Sequence, residues 1–197
     1  MSTALMLAFL AAAVPTFFTP GPNNLMLMAS SAKFGIPRTV PHMVGICVGF
    51  PTMVFVVGLG LGEIFTQYPW LKTVLKWVAA ANFLWLAWQL LGLKIGAASA
   101  EERPLGFLQA AMFQWVNPKA WAMAVSFVAL VVQPGEGQLF SLIALALGCL
   151  VVGPFSSFLW MVGGTGLKAV LARTGGDRYL GYILAGLMLV AVVLFLA

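Results

Sequence analysis

Charged residues are scarce in this sequence. Asp, Glu, Lys and Arg make up only 8% of the chain, against roughly 25% in an ordinary soluble domain. Hydrophobic residues account for 62% of the 197 residues, which is more apolar surface than a soluble domain of this length buries in one core. A lipid bilayer is an apolar solvent that accommodates such surface. The composition therefore argues against a soluble fold and predicts an all-α integral membrane protein.

Histidine, cysteine and acidic side chains are also rare. The one His, two Cys and five Asp or Glu residues form no cluster with metal-ligand spacing, and we find no phosphate-binding glycine loop and no Ser-His-Asp arrangement. We therefore expect no cofactor, no metal and no enzymatic centre. The acidic residues lie in loops or at segment ends, so the sequence indicates no acidic proton relay. Basic residues are not interleaved with aromatic ones, and no nucleic-acid partner is expected.

Charged and Gly- or Pro-containing breaks divide the apolar sequence into six segments. They cover approximately residues 4–31, 40–62, 69–93, 106–132, 138–166 and 179–197. Each reaches the roughly 20 residues that an α-helix needs to cross a ~30 Å hydrocarbon core. A signal peptide requires a Lys or Arg before its apolar stretch, and none precedes the first segment. We therefore interpret this segment as an uncleaved membrane helix. The sequence predicts a single membrane domain, residues 1–197, with six transmembrane helices.

The positions of the basic residues predict an orientation. The linkers after segments one, three and five contain seven of them: Lys33, Arg38, Lys94, Arg103, Lys168, Arg173 and Arg178. Lys72 and Lys76 follow the loop after segment two and lie at the start of segment three, whereas the loop after segment four and both termini contain no basic residue. Because cytoplasmic loops are enriched in Lys and Arg, we predict a bacterial inner-membrane protein with both termini in the periplasm. The basic residues are expected to contact anionic headgroups of the lipid bilayer.

A residue pattern recurs between the two halves of the chain. Five positions of segment two, Gly45, Val48, Pro51, Phe55 and Gly60, recur at one offset as Gly148, Val151, Pro154, Phe158 and Gly163. Chance recurrence is the alternative, since Gly, Val and Phe are common here. If the repeat is real, residues 1–98 and 104–197 are two three-helix halves, and an odd number of crossings makes the second half inverted. Inverted repeats are frequent in secondary transporters.

Proline motifs predict that helices 1 and 4 are broken near their middle. Proline lacks an amide proton and clashes with the carbonyl four residues earlier, so Pro20 should release the carbonyl of Thr16 and Pro118 that of Gln114. In lipid, such carbonyls are tolerated only inside protein or beside water. A half-helix that begins at such a break points its N-terminal amides at the resulting cavity, which suits a carboxylate. A plain proline kink without a ligand is the alternative.

The candidate substrate-binding residues are those of the two motifs and one neighbouring glutamine. They are Pro20, Gly21, Pro22, Asn23, Asn24, Gln114, Asn117, Pro118 and Lys119. Lys119 is the strongest candidate, because inserting a lysine at the centre of a membrane helix costs at least ~2.5 kcal/mol and such a residue usually faces a cavity. It could pair with a substrate carboxylate or exchange a proton. The bland alternative is a side chain that extends to the membrane interface.

Cys47 and Cys149 suggest a different function. One cysteine in each half of an inverted repeat could pair and exchange electrons, as in a membrane thiol-disulfide carrier, although small buried thiols are the ordinary case. A passive channel or assembly factor is a third hypothesis. His42, near the start of segment two, is either a proton-responsive group or an interfacial ring, and we interpret it as the latter. The glycine pair Gly45 and Gly49 is expected to permit close packing inside the bundle rather than dimerisation, and homo-oligomerisation stays open.

Both proline motifs resemble those of a known family. Thr19-Pro20-Gly21-Pro22-Asn23 and Gln114-Trp115-Val116-Asn117-Pro118-Lys119, together with length and segment pattern, are similar to the LysE/RhtB family of bacterial amino-acid exporters. Residues 18–24 and 84–88 look closest to its cysteine/O-acetylserine exporter branch. The resemblance implies a secondary transporter that exports amino acids or small derivatives from the cytoplasm, driven by the proton gradient. Many members continue segment four with a run of Phe, whereas this chain has Ala120-Trp121-Ala122-Met123, so the resemblance does not single out one substrate.

Overall fold

The computed structural model describes residues 3–60, 67–93, 102–133 and 135–196, and Lys94 lies outside these ranges. Within them every regular element is a helix and none is a strand. The α-helices are α1 (Thr3–Phe18), α2 (Pro22–Phe34), α3 (Ile36–Gly58), α4 (Trp70–Leu91), α5 (Phe107–Phe113), α6 (Pro118–Val131), α7 (Gln138–Thr174) and α8 (Leu180–Leu196). Short 3-10 helices, Gln114–Val116 and Asp177–Tyr179, precede α6 and α8. The described chain is therefore all-α, as its composition predicts.

Three stretches of the described chain are long and apolar enough to cross a membrane. They are Ile36–Gly58, Gln138–Thr174 and Asp177–Leu194. Helices α1 and α2 meet the same requirements together, although their axes bend by 47° at the break between them. The described residues thus provide three such spans, or four if the bent pair is one span. The six crossings expected from the sequence stay a prediction.

The fifth segment forms a longer helix than the sequence pattern predicts. Helix α7 has 37 residues and includes Lys168 and Arg173, which the charge pattern assigns to a loop. That assignment is wrong because Lys and Arg are good helix formers, and no Gly or Pro lies between positions 167 and 173. The helix ends where Gly175 adopts a left-handed φ of 66°. At 1.5 Å per residue α7 is about 55 Å long, so its basic end extends beyond a ~30 Å hydrocarbon core.

Helix α7 packs against α2 and α3, while α4 packs mainly against α8. Buried apolar side chains join these helices in separate clusters. One contains Phe83 of α4 and Leu184 of α8, with side chains of α2 beside them. Another contains Phe50 of α3 and Phe127 of α6, with side chains of α1 and α7. The second cluster extends along α1 and α6 from the proline motifs, since it includes Ala120 and has Phe17 packed against it.

Close packing between α3 and α5 depends on two glycines of α3. A Cβ added at Gly45 would overlap the carbonyl oxygen of Phe107, and one at Gly49 would lie 2.6 Å from Cα of Ala111. Both contacts bring the backbones of α3 and α5 together. The prediction that this glycine pair packs inside the bundle is therefore confirmed.

Replacing Gly164 by Ala is expected to lower the free energy of unfolding by about 1–3 kcal/mol, the usual effect of overpacking a close contact. A Cβ there would overlap Met28 O and Ser31 Oγ of α2. Gly166→Ala on the same helix is the matched control, because no atom lies within 4 Å of its added Cβ. Thermal unfolding of the detergent-purified variants measures the difference. Equal stabilities would contradict the packing of α7 on α2.

Candidate functional site

The first segment is interrupted between Phe18 and Pro22, where α1 ends and α2 begins. The amide of Thr19 still donates to Pro15 O at 3.0 Å. Its hydroxyl donates to Thr16 O, also at 3.0 Å. The Thr16 carbonyl, predicted to lose its helical partner to Pro20, is therefore capped by a side chain. The interruption is present where the proline motif predicts it.

Two side chains bind the last carbonyls of α1. Asn24 Nδ2 donates to Phe17 O at 2.8 Å and to Thr19 O at 2.9 Å. Ser156 of α7 donates its hydroxyl to Phe17 O at 2.7 Å. Both side chains are buried, so they hold carbonyls that water would otherwise solvate. Ser156 is absent from the residues predicted from the sequence.

The fourth segment is interrupted at Asn117. Helix α5 is followed by the 3-10 turn Gln114–Val116, and α6 begins at Pro118. The 3-10 turn gives the Gln114 carbonyl a new partner, because Asn117 N donates to it at 3.2 Å. The expectation that Pro118 leaves this carbonyl free is therefore wrong. Asn117 Oδ1 accepts from Lys119 N at 3.1 Å and thereby caps the N-terminus of α6.

Lys119 connects the two interruptions. Its ammonium donates to Thr19 Oγ1 at 2.9 Å, Thr19 O at 3.0 Å and Pro20 O at 3.2 Å. These acceptors lie at the C-terminal end of α1, where the helix dipole is negative and attracts a cation. The side chain passes over Gly21, whose added Cβ would lie 2.8 Å from Lys119 Cδ. Lys119 therefore does not extend to an interface but binds the opposite broken helix.

A pair of amides forms a second connection. Asn23 Nδ2 donates to Gln114 Oε1 at 2.8 Å, and Gln114 Nε2 donates to Asn23 Oδ1 at 3.2 Å. Gln114 Nε2 also donates to Ala110 O at 2.9 Å. Gln114 is fully buried, so this reciprocal pair satisfies polar groups that lipid could not. The two predicted motifs thus meet through side chains on both sides.

A cavity lies between the two interruptions. Its volume is about 40 Å³. Five of the predicted residues line it, namely Gly21, Asn23, Asn24, Asn117 and Lys119. Gln114 reaches the same place through Asn23, whereas Pro22 and Pro118 are the first residues of α2 and α6. Thr16, Ser156 and Ser157 also line the cavity, and none of them was predicted from the sequence. The two adjacent serines shortly after Pro154, in an otherwise apolar segment, could have indicated a polar site.

Four phenylalanine rings pack beside this cavity, and we call them the phenylalanine cluster: Phe9, Phe17, Phe50 and Phe127. Phe17 meets Phe50 edge to face at 5.5 Å and Phe127 in a stacked arrangement at 6.1 Å. Phe9 meets Phe127 edge to face at 5.4 Å. Phe17 and Phe50 also line the cavity. The cluster therefore closes the cavity along α1 before its break and along α6 after its beginning.

Both cysteines are buried free thiols that line the cavity. Cys47 Sγ donates to Ser157 Oγ at 3.8 Å. His42 is 1% exposed and shares a 3.4 Å hydrogen bond with Ser30. The interpretation of His42 as an interfacial ring is therefore wrong. Helix α3 begins at Ile36, earlier than the pattern predicts, so His42 lies inside the helix and not at its start.

The sequence is similar to known proteins over nearly its whole length. The sequence model of the LysE type translocator family matches residues 14–197. The chain belongs to this family. The predicted family of amino-acid exporters is thereby confirmed, and the LysE-type translocator is a membrane transporter, not an enzyme. This finding sets aside the thiol-disulfide carrier.

Several curated relatives of the translocator share one description. A cysteine/O-acetylserine efflux protein of Klebsiella pneumoniae is 30% identical over 191 residues, which cover 95% of each chain. Proteins of the same description from Salmonella choleraesuis and Escherichia coli O139:H28 are 27% and 25% identical, over 95% and 96% of each chain. No solved structure matches the translocator.

Proposed function

We propose that the translocator exports cysteine, O-acetylserine and similar small amino acids from the cytoplasm. The observation that carries the proposal is the cavity between two broken helices, crossed by the ammonium of Lys119. The relatives described as cysteine/O-acetylserine efflux proteins support this substrate class. The polar side chains that line the cavity suit the charged part of an amino acid, and the rings of Phe17 and Phe50 suit a short apolar side chain.

We further propose that the predicted substrate-binding residues contact the exported molecule. Pro20, Gly21, Pro22, Asn23 and Asn24 would do so from segment one, and Gln114, Asn117, Pro118 and Lys119 from segment four. A cavity of about 40 Å³ holds roughly three water molecules and is smaller than an amino acid. Substrate binding therefore requires α1 and α2 to move relative to α6, which matches the rocking of one repeat against another.

The proposed topology has six transmembrane helices in two inverted halves, residues 1–98 and 104–197. The recurring Gly, Pro and Phe positions and the two matching interruptions support it. The basic linkers support an inner-membrane protein with both termini in the periplasm. In this orientation the phenylalanine cluster lies on the periplasmic side of the cavity. Export then alternates between a cytoplasm-facing state and one in which this cluster has opened, driven by the proton gradient.

Efflux from loaded vesicles tests the function. Proteoliposomes are loaded with a panel of amino acids. They should lose cysteine and O-acetylserine faster than protein-free vesicles do, and they should retain large or acidic amino acids. Collapsing the proton gradient with an uncoupler should slow this efflux if export is proton-coupled. Efflux at the same rate with and without the proton gradient would favour the passive channel. Retention of every amino acid would contradict an exporter.

The Cys47→Ser, Cys149→Ser double variant is expected to continue exporting O-acetylserine. A serine hydroxyl at position 47 can make the hydrogen bond that Cys47 makes to Ser157, and neither cysteine is in a disulfide. Export is measured in the same vesicles. If the correctly folded double variant lost export completely, thiol chemistry would have a role in transport.

A further inference from the structure

The ammonium of Lys119 occupies a binding site made by its own chain. Two carbonyl oxygens and one hydroxyl, all from Thr19 and Pro20, lie within 3.2 Å of Nζ. A primary ammonium has three N–H donors and no acceptor, so three acceptors satisfy it completely. Among the described residues that line the cavity, none is Asp or Glu. The positive charge is thus held by backbone and hydroxyl dipoles at the C-terminal end of α1.

This site has the chemistry that recognises the amino group of a substrate. The α-ammonium of an amino acid presents the same donors as Lys119 Nζ, and Lys119, which binds these acceptors, lines the cavity beside Gly21. Asn24 Nδ2 donates to Thr19 O, one of these acceptors, and to the neighbouring Phe17 O, which also accepts from Ser156. Both side chains therefore act as positioning residues for the acceptor group. The acceptors therefore remain oriented when the lysine leaves.

We propose that Thr19 and Pro20 form the subsite for the α-ammonium of the exported amino acid, and that Lys119 is its internal surrogate in the empty translocator. The inference rests on the proposed function. When substrate binds, its ammonium replaces Nζ on the carbonyls, and the released Lys119 pairs with the substrate carboxylate. Each charge keeps a partner throughout, which matters because an unpaired buried charge is costly.

This exchange explains why the substrate must be a zwitterion. An amine without a carboxylate displaces Lys119 but leaves its charge unpaired. A carboxylate without an amine finds Lys119 already bound to Thr19 and Pro20. Only a molecule with both groups satisfies both sites. Gly21 leaves room for the exchange, since the lysine side chain lies against the position of its missing Cβ.

Ligands that differ from cysteine by one group test the proposal in the wild-type protein. Cysteamine lacks the carboxylate, and 3-mercaptopropionate lacks the amine. Binding is measured from the ligand-dependent rise in the unfolding temperature of the detergent-purified protein. Cysteine should bind at least about tenfold more tightly than either analogue, since each analogue leaves one charge unpaired. Binding of 3-mercaptopropionate as tight as that of cysteine would overturn the proposal without requiring any variant.

The Lys119→Met variant gives the distinguishing result. If Lys119 occupies the subsite about nine-tenths of the time, its removal should tighten cysteamine binding about tenfold. Thiocholine, whose quaternary ammonium has charge but no N–H donor, is the matched control and should gain much less. If Lys119 binds only the substrate carboxylate, the affinity for cysteamine should be the same in the variant and in wild type. If Lys119 acts only through its general positive charge, the affinities for cysteamine and thiocholine should increase equally. Either result would overturn the surrogate role.

Efflux from wild-type vesicles separates this proposal from the function on which it rests. If cysteine is exported but Lys119→Met binds cysteamine no more tightly than wild type, the export function stands and the surrogate proposal is wrong. If the vesicles export no amino acid, the proposed function is wrong and the surrogate proposal fails with it.

Discussion

Replacing Lys119 by Met is expected to reduce export about 100-fold or more, because removing one partner of a buried charge pair costs about 3–5 kcal/mol. The variant has no cation to pair with the substrate carboxylate. Insertion into the membrane should not suffer, since methionine removes a charge that is unfavourable in lipid. The measurement is initial efflux from vesicles containing equal amounts of folded protein.

The Lys119→Arg variant is the control for this prediction. Arginine keeps the positive charge, but the N–H donors of its planar guanidinium are spread over three nitrogens, whereas those of the lysine ammonium surround one nitrogen. The acceptors of Thr19 and Pro20 surround a single nitrogen. We therefore expect export between that of wild type and Lys119→Met. Wild-type efflux from the Met variant would remove Lys119 from the transport mechanism.

Replacing Gly21 by Ala is expected to reduce export about tenfold with little loss of stability. The added Cβ would lie 2.8 Å from Cδ and 3.1 Å from Nζ of Lys119. A lysine side chain can move away, so folding is affected little, but the added methyl group takes the room that Lys119 and the substrate ammonium need to exchange places on the carbonyls of Thr19 and Pro20. A cost of about 1.4 kcal/mol to this exchange corresponds to a tenfold reduction of export. The backbone of Gly21 is extended, with φ 175°, and any residue adopts that conformation.

A double-mutant cycle identifies the cause of the Gly21 effect. The three atoms nearest to the added Cβ all belong to Lys119, so Gly21→Ala should change stability and cysteamine binding much less in a Lys119→Ala background. Gly166→Ala, which meets no atom within 4 Å, should leave export unchanged. An undiminished effect in the Lys119→Ala background would show that the alanine acts through the backbone.

Local chemistry made the two interruptions predictable. Pro20, Pro22 and Pro118 each lack an amide proton, and this property does not depend on where the rest of the chain lies. The family resemblance is carried by the same short motifs and is confirmed. The helical class follows from composition, because an apolar chain in lipid must satisfy its backbone hydrogen bonds internally.

Contacts between distant residues were not predictable from one sequence. Lys119 and Thr19 are 100 residues apart, and Ser156 and Phe17 are 139 apart, so their hydrogen bonds depend on how the helices pack. The sequence suggested a substrate carboxylate or an exchanged proton for Lys119, and it gave no sign of the hydrogen bonds to the carbonyls of Thr19 and Pro20. The end of α7 was mispredicted for a different reason, since charge marks an interface but does not stop a helix.

The phenylalanine cluster has an electrical consequence. Four rings in edge-to-face and stacked contact form an apolar region beside the cavity, and moving one elementary charge across a membrane potential of 100 mV corresponds to about 2.3 kcal/mol. Protons and small ions cross a region without polar groups very slowly. In the proposed topology the rings thus insulate the membrane, so the cell can keep an export route for its amino acids without short-circuiting the voltage that it uses for other work.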